Sequence, residues 1–157
     1  MSKFNQGITL LELLMTITII GVISAFAIPA FDSQIKNSRL KSAANQVLTA
    51  YGIARSEAVS RNVQTRITGD SNGWNVSTVA VAGPPAVASE ILNTFAPDST
   101  GITWSPSTLP TITYNATGFR PFGSSEQVIK LCDERSIGRE ITITAAGSVS
   151  VETLSSC

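Results

Sequence analysis

Glu12 is the residue with most to explain. It is the one charged side chain in Gly7–Ala30, the apolar run GITLLELLMTITIIGVISAFAIPA. A helix needs about 20 apolar residues to span roughly 30 Å of hydrocarbon, so this run is long enough to cross a bilayer. A carboxylate at that depth costs about 2.5–3.5 kcal/mol and needs a partner. Glu12 is therefore a functional residue by default. Cys132 and Cys157, both in the final segment, form the other reactive pair. The chain has no histidine, which excludes His-based acid–base catalysis, His metal sites and Ser-His-Asp triads. Nucleophile motifs, glycine-rich phosphate loops and metal-ligand clusters are also missing from the sequence. We expect no enzyme activity, no cofactor and no metal.

The elements that position these residues follow from periodicity. The apolar run does not end at a turn but continues into an amphipathic stretch. Leu40, Ala44, Val47, Tyr51, Ala54 and Ala58 recur at spacings of three and four, the signature of one helix face. Lys36, Arg39, Lys41, Arg55 and Arg61 fall largely off that stripe. The pattern predicts one helix from about 8 to 61, kinked near Pro29 and roughly 80 Å long. Residues 8–30 form its transmembrane half and 31–61 its amphipathic continuation. A helix of this length is marginal in water without tertiary cover, so residues 62–157 must supply the cover.

Those residues read as strands. Val63–Thr68 and Trp74–Val81 flank the turn cluster 69–73 and predict a hairpin. From Gly83 to Pro110 the chain is rich in Pro, Ser and Thr, which predicts irregular loops with one short strand at Ile102–Trp104. Thr111–Tyr114 and Val128–Cys132 read as strands, with a turn at Asn115–Gly118. Arg139–Thr144 and Val149–Glu152 form a hairpin about Ala145-Ala146-Gly147. Helix first and antiparallel strands after it give an α+β fold. Trp74, in an alternating strand, is expected in the core. Phe122, in the loop Arg120-Pro121-Phe122-Gly123, is a candidate contact residue.

The first 30 residues resemble the leader of type IV pilins and type II secretion pseudopilins. Gly7, apolar Ile8 after it, Glu12 at the fifth position of the mature chain, and Pro29 carry the likeness. It implies that residues 1–7 are a leader, cut after Gly7 by a prepilin peptidase that methylates the new amino terminus at Ile8. It also implies that Glu12 pairs with the N-terminal ammonium of a neighbouring subunit. Ile8 departs mildly from the pattern, where phenylalanine is commonest. A secretory signal is the competing reading, with Ala25-Phe26-Ala27 as a cleavage site. The length of the run, Glu12 within it, and a leader carrying only Lys3 and the amino terminus all count against it.

Further segments narrow the likeness to the GspH/FimT family: Tyr51–Val59 with its Ala-Arg-Ser-Glu-Ala core, Asn115–Gly118, and Gly138–Thr144 with Gly147. Packing alone accounts for the first of these, if Ala54 and Ala58 are small because a sheet lies close. The resemblance implies a pilin-like fold and a single-pass inner-membrane protein with a periplasmic head. It implies other pilins or pseudopilins, the prepilin peptidase and the inner membrane as partners. An exported head permits a Cys132–Cys157 disulfide, which would close a loop of about 26 residues and contribute roughly 3 kcal/mol. Two free thiols are the alternative. The cysteine pair favours a minor pilin over a secretion pseudopilin.

Three functions are weighed. The first is a minor pilin that primes or caps filament assembly. The second is a secretion pseudopilin, whose assembly physics is identical. The third is a DNA-uptake pilin. DNA-capturing members of the family carry a glycine-arginine-x-arginine motif, but Gly147-Ser148-Val149-Ser150 has serines where the arginines belong. Arg135 and Arg139 are the nearest cations, offset by Asp133, Glu134 and Glu140. Phosphate binding needs clustered cations, and the chain carries 11 basic and 11 acidic residues, so DNA is not an expected partner.

Overall fold

The computed structural model describes residues 9–70, 73–80, 88–97 and 99–157. Helix α1 spans Leu10–Arg61. Eight strands follow: β1 Thr65–Asp70, β2 Gly73–Thr78, β3 Ile91–Phe95, β4 Ile102–Ser105, β5 Ile112–Tyr114, β6 Gln127–Asp133, β7 Gly138–Ile143 and β8 Val149–Leu154. Contacts divide the chain into two compact units, 1–37 and 38–157.

In the first unit, α1 opens on a sequence-coded cap. The Thr9 hydroxyl accepts from the Glu12 backbone N–H at 3.2 Å. This satisfies one of the donors that every helix leaves free at its start. Every large apolar side chain from Leu10 to Ile28 is exposed, with Leu14 the least so at 49%. This helix is long and apolar enough to cross a membrane. The helix assignment runs without interruption through Pro29.

In the second unit the expected stripe is buried. Leu40, Ala44, Val47, Tyr51, Ala54 and Ala58 are all sealed from solvent, joined by Ala43 and Ala50. The helix ends at Asn62, whose φ of 52° is left-handed. The Val63 N–H then reaches the Ala58 carbonyl at 3.1 Å and the Asn62 N–H the Val59 carbonyl at 3.3 Å, closing a Schellman motif. Inside the head, the buried Thr65 hydroxyl donates to the Ala54 carbonyl at 2.8 Å and ties β1 to the helix.

The strands form two antiparallel sheets of four, in orders β3-β2-β1-β5 and β4-β6-β7-β8. The expected hairpins are present: β1 pairs with β2 through Asp70↔Gly73, and β7 with β8 through Ile143↔Val149. Both have strict inward positions, such as Trp74 and Val76 on β2 and Ile141 and Ile143 on β7. One cluster joins the helix stripe to both sheets. Trp74 of the first sheet meets Trp104 of the second edge to face, with centroids 5.0 Å apart.

Two features depart from the sequence reading. The Gly83–Pro110 stretch contains a second strand, β3, which pairs with β2 across a register shift at Val76/Ser77. Its ILNTF sequence lacks a period of two, and Ile91 is exposed at the sheet edge, so pairing with β2 and not amphipathicity makes it a strand. The head also divides its antiparallel strands between two sheets, a division the sequence reading did not make, because β4 pairs with β6 and not with the first hairpin.

Candidate assembly surfaces

Glu12 sits in the first turn of α1, where the helix dipole favours an acid. It is exposed and has no ion-pair partner among the described residues. Gly7 and Ile8 lie outside the described residues. Pro29 lies within the helical span, but its side chain is outside the description.

Cys132 and Cys157 are disulfide-bonded, with Cα atoms 6.0 Å apart. The bridge fastens the C-terminal residue to β6, helped by a 2.8 Å hydrogen bond from the Cys157 N–H to the Ser136 carbonyl. Gly138, opposite Cys132 on β7, makes room for the bridge: a Cβ there would collide with the Cys157 sulfur and the Leu131 carbonyl.

Arg135 and Arg139 do not form a basic cluster. Arg135 Nε donates to Asp133 Oδ2 at 2.8 Å, and that carboxylate also accepts from the Arg135 and Ile137 backbone N–H groups. Burial pushes the Asp133 pKa up, but these hydrogen bonds and the guanidinium outweigh it and hold the carboxyl below 3.8. Arg135 is thus part of the β6–β7 turn. Arg139 reaches Thr153 on β8 at 3.5 Å. Glu140, its neighbour in sequence, pairs with Lys130 at 3.2 Å.

Sequence reasoning missed a second cluster, where α1 meets the β5 end and the β7–β8 turn. Tyr114 donates to the Gly147 carbonyl at 3.0 Å. Gly147 has φ 94°, and a Cβ on it would lie 2.6 Å from the Tyr114 ring. Tyr51 packs below with its hydroxyl buried and unpartnered. Burial raises the pKa of both tyrosines; Arg120 pulls in the opposite direction without prevailing. Both phenols therefore stay neutral at ordinary pH. Above them opens a cleft of about 300 Å³, lined by Leu48, Tyr51, Gly52, Arg55, Tyr114 and residues 147–149. Two of the family segments, Tyr51–Val59 and Gly138–Thr144 with Gly147, signalled parts of this place in the sequence, but not that they meet. The Arg55 guanidinium also lies 5.7 Å from the centroid of the Phe119 ring, within cation–π range.

A long N-terminal helix, apolar and exposed in its first part and packed on antiparallel sheets in its second, is a pilin-like fold. The comparisons agree. A model of the prokaryotic N-terminal methylation motif matches residues 2–28. The model of type II transport protein GspH matches residues 43–147, about two thirds of the chain. The chain belongs to this GspH family. Two crystal structures of the type IV minor pilin FimU from Pseudomonas aeruginosa are similar in fold at 23% identity. One has TM-score 0.60 and covers 78% of this chain and 97% of that one. The other has TM-score 0.56 and covers 75% and 99%. The type IV major fimbrial protein FimA of Dichelobacter nodosus is 42% identical over 53 residues. That match covers 34% of this chain, which spans about a third (31%) of the length of the curated relatives it matches. The methylation motif and apolar helix fit inner-membrane anchoring and processing by a peptidase, and the family implies assembly with other pilins.

Proposed function

We propose that this chain is a minor pilin of a type IV pilus, a structural subunit that primes or caps filament assembly. The observation that carries the reading is the head fold, whose likeness extends over nearly the whole of a minor pilin chain. Gly7 and Ile8 are the processing site, and Pro29 bends the helix. Glu12 meets the N-terminal ammonium of the next subunit inside the filament core. The exposed apolar side chains of residues 10–28 support that role, since a helix apolar on every face needs an apolar surround, of lipid before assembly and of other such helices after it. Removing one partner of a buried charge pair leaves the other uncompensated, at a cost of about 3–5 kcal/mol.

The second reading is a secretion pseudopilin, favoured by the name of the family whose model matches residues 43–147. A DNA-uptake role is weaker, because Arg135 is held by Asp133.

The test is deletion of the gene, with surface filaments counted by electron microscopy. Filaments should fall sharply, return with the wild-type gene, and fail to return with Glu12→Ala although the head stays folded. Unchanged filaments after deletion would reject the priming role.

A further inference from the structure

The cleft above Tyr51 and the loop beside it share three properties that the folded chain does not use. First, Gly52 lies on an exposed helix face, and a Cβ there would meet nothing within 4 Å. Glycine weakens a helix, so packing within the chain gives no reason for it here. Second, Arg55 is the cleft's sole charged residue, no acid lines the cleft, and Arg55 has no carboxylate partner among the described residues. Third, Phe122 is fully exposed on a loop that is held rigidly.

The rigidity is explicit. The Asn115 side-chain oxygen accepts from Thr117 N–H at 3.1 Å, the Thr117 hydroxyl at 2.6 Å and Phe119 N–H at 3.0 Å. Arg120 Nη1 donates to the carbonyls of Ser125 at 2.7 Å and Thr144 at 3.0 Å. Phe119 lies against Arg55, and Gly118 rides over Val59, itself half exposed. The loop and the cleft therefore meet at Arg55. A rigid exposed aromatic loses little freedom on binding and suits an anchor role.

We propose that the Phe122 loop and the Gly52 cleft form one docking surface for the head of a different pilin-like subunit. That partner offers an apolar pocket to Phe122 and a carboxylate to Arg55. This rests on the pilin-assembly reading above. Charge selects the partner. A symmetric pair of this chain would set Arg55 against Arg55 with no acid in the cleft between them. A partner presenting a carboxylate supplies the missing charge and enters where Gly52 leaves room.

The test uses the full chain in cells, with a benzophenone amino acid at position 59, beside Arg55. Illumination should give an adduct with another pilin-like subunit, identified by mass spectrometry. Phe122→Ser and Arg55→Glu should each lower its yield about tenfold, the scale of losing an interface anchor. Lys41→Ala, an exposed helix cation outside the surface, should leave it unchanged. The proposal is overturned by an adduct with a second copy of this chain alone, by a yield indifferent to both substitutions, or by no adduct in filaments that contain the chain. Phe122 makes no use of burial, so its loss does not endanger folding. If deletion leaves filaments intact while a Phe122-dependent adduct persists, the priming role fails and the docking surface stands.

Discussion

The two parts of α1 are apolar for opposite reasons. Residues 38–61 carry a narrow stripe, with Ala54 and Ala58 fully buried and Arg55 exposed between them. Residues 10–28 carry large apolar side chains on every face, all of them exposed. A helix apolar all round belongs inside a membrane or a helical assembly, whereas a striped one belongs against a sheet. One continuous helix thus carries two kinds of apolar surface, and helical continuity does not imply a shared source of stability. The head's core should be indifferent to substitutions in the first part, and the first part's task should be indifferent to substitutions in the core.

The sharpest test of this division uses tryptophan fluorescence, since Trp74 and Trp104 are the chain's two tryptophans and both lie in the head. Chemical denaturation of the detergent-solubilised chain should show Trp74→Ala losing about 3–5 kcal/mol, the usual range for emptying a large aromatic site. Trp104 still reports in that variant. Ile20→Ala should move the same transition by less than about 0.5 kcal/mol. A comparable loss from Ile20→Ala would break the comparison.

Next in size is the disulfide. Cys132→Ser should cost about 2–5 kcal/mol in the same assay. Reduction of the wild type should reproduce that loss, and reductant should have no further effect on the variant.

Two glycines give a pair of opposite sign. Gly147→Ala forces a side chain into a left-handed backbone and against Tyr114, so it should destabilise by about 1–3 kcal/mol. Gly52→Ala has open space on a helix and should stabilise by up to about 1 kcal/mol. A matched loss at both positions would show that the cleft is filled within the folded chain.

The smallest expected effect is that of acid. The Asp133 carboxyl is held below its ordinary 3.8 in the fold. Its contribution is therefore fully present above that value and is lost as pH falls through the lower folded-state pKa. Asp133→Asn should flatten the part of the stability profile below about pH 4. An unchanged profile would remove the Asp133–Arg135 contact from the stabilising set.

Much of this was legible in the chain itself. The buried stripe from Leu40 to Ala58, the pairing of β1 with β2 and of β7 with β8, and Trp74 in the core all follow from periods of 3.6 and 2. Strand β3 did not follow, because an edge strand is defined by the neighbour it pairs with. The division into two sheets did not follow either, since β4 selects β6 across more than twenty residues of chain.

The sequence by itself determined the helix and its change from apolar on every face to striped, because these depend on local periodicity, and its leader and family motifs carried the resemblance that named the class of protein. Only the tertiary structure decided which residues share the Tyr51–Tyr114–Gly147 cluster, that Arg135 is held by Asp133, and that Phe122 stands free while Trp104 is buried. Each of these joins or separates side chains through backbone turns and strand pairings whose geometry no single residue encodes.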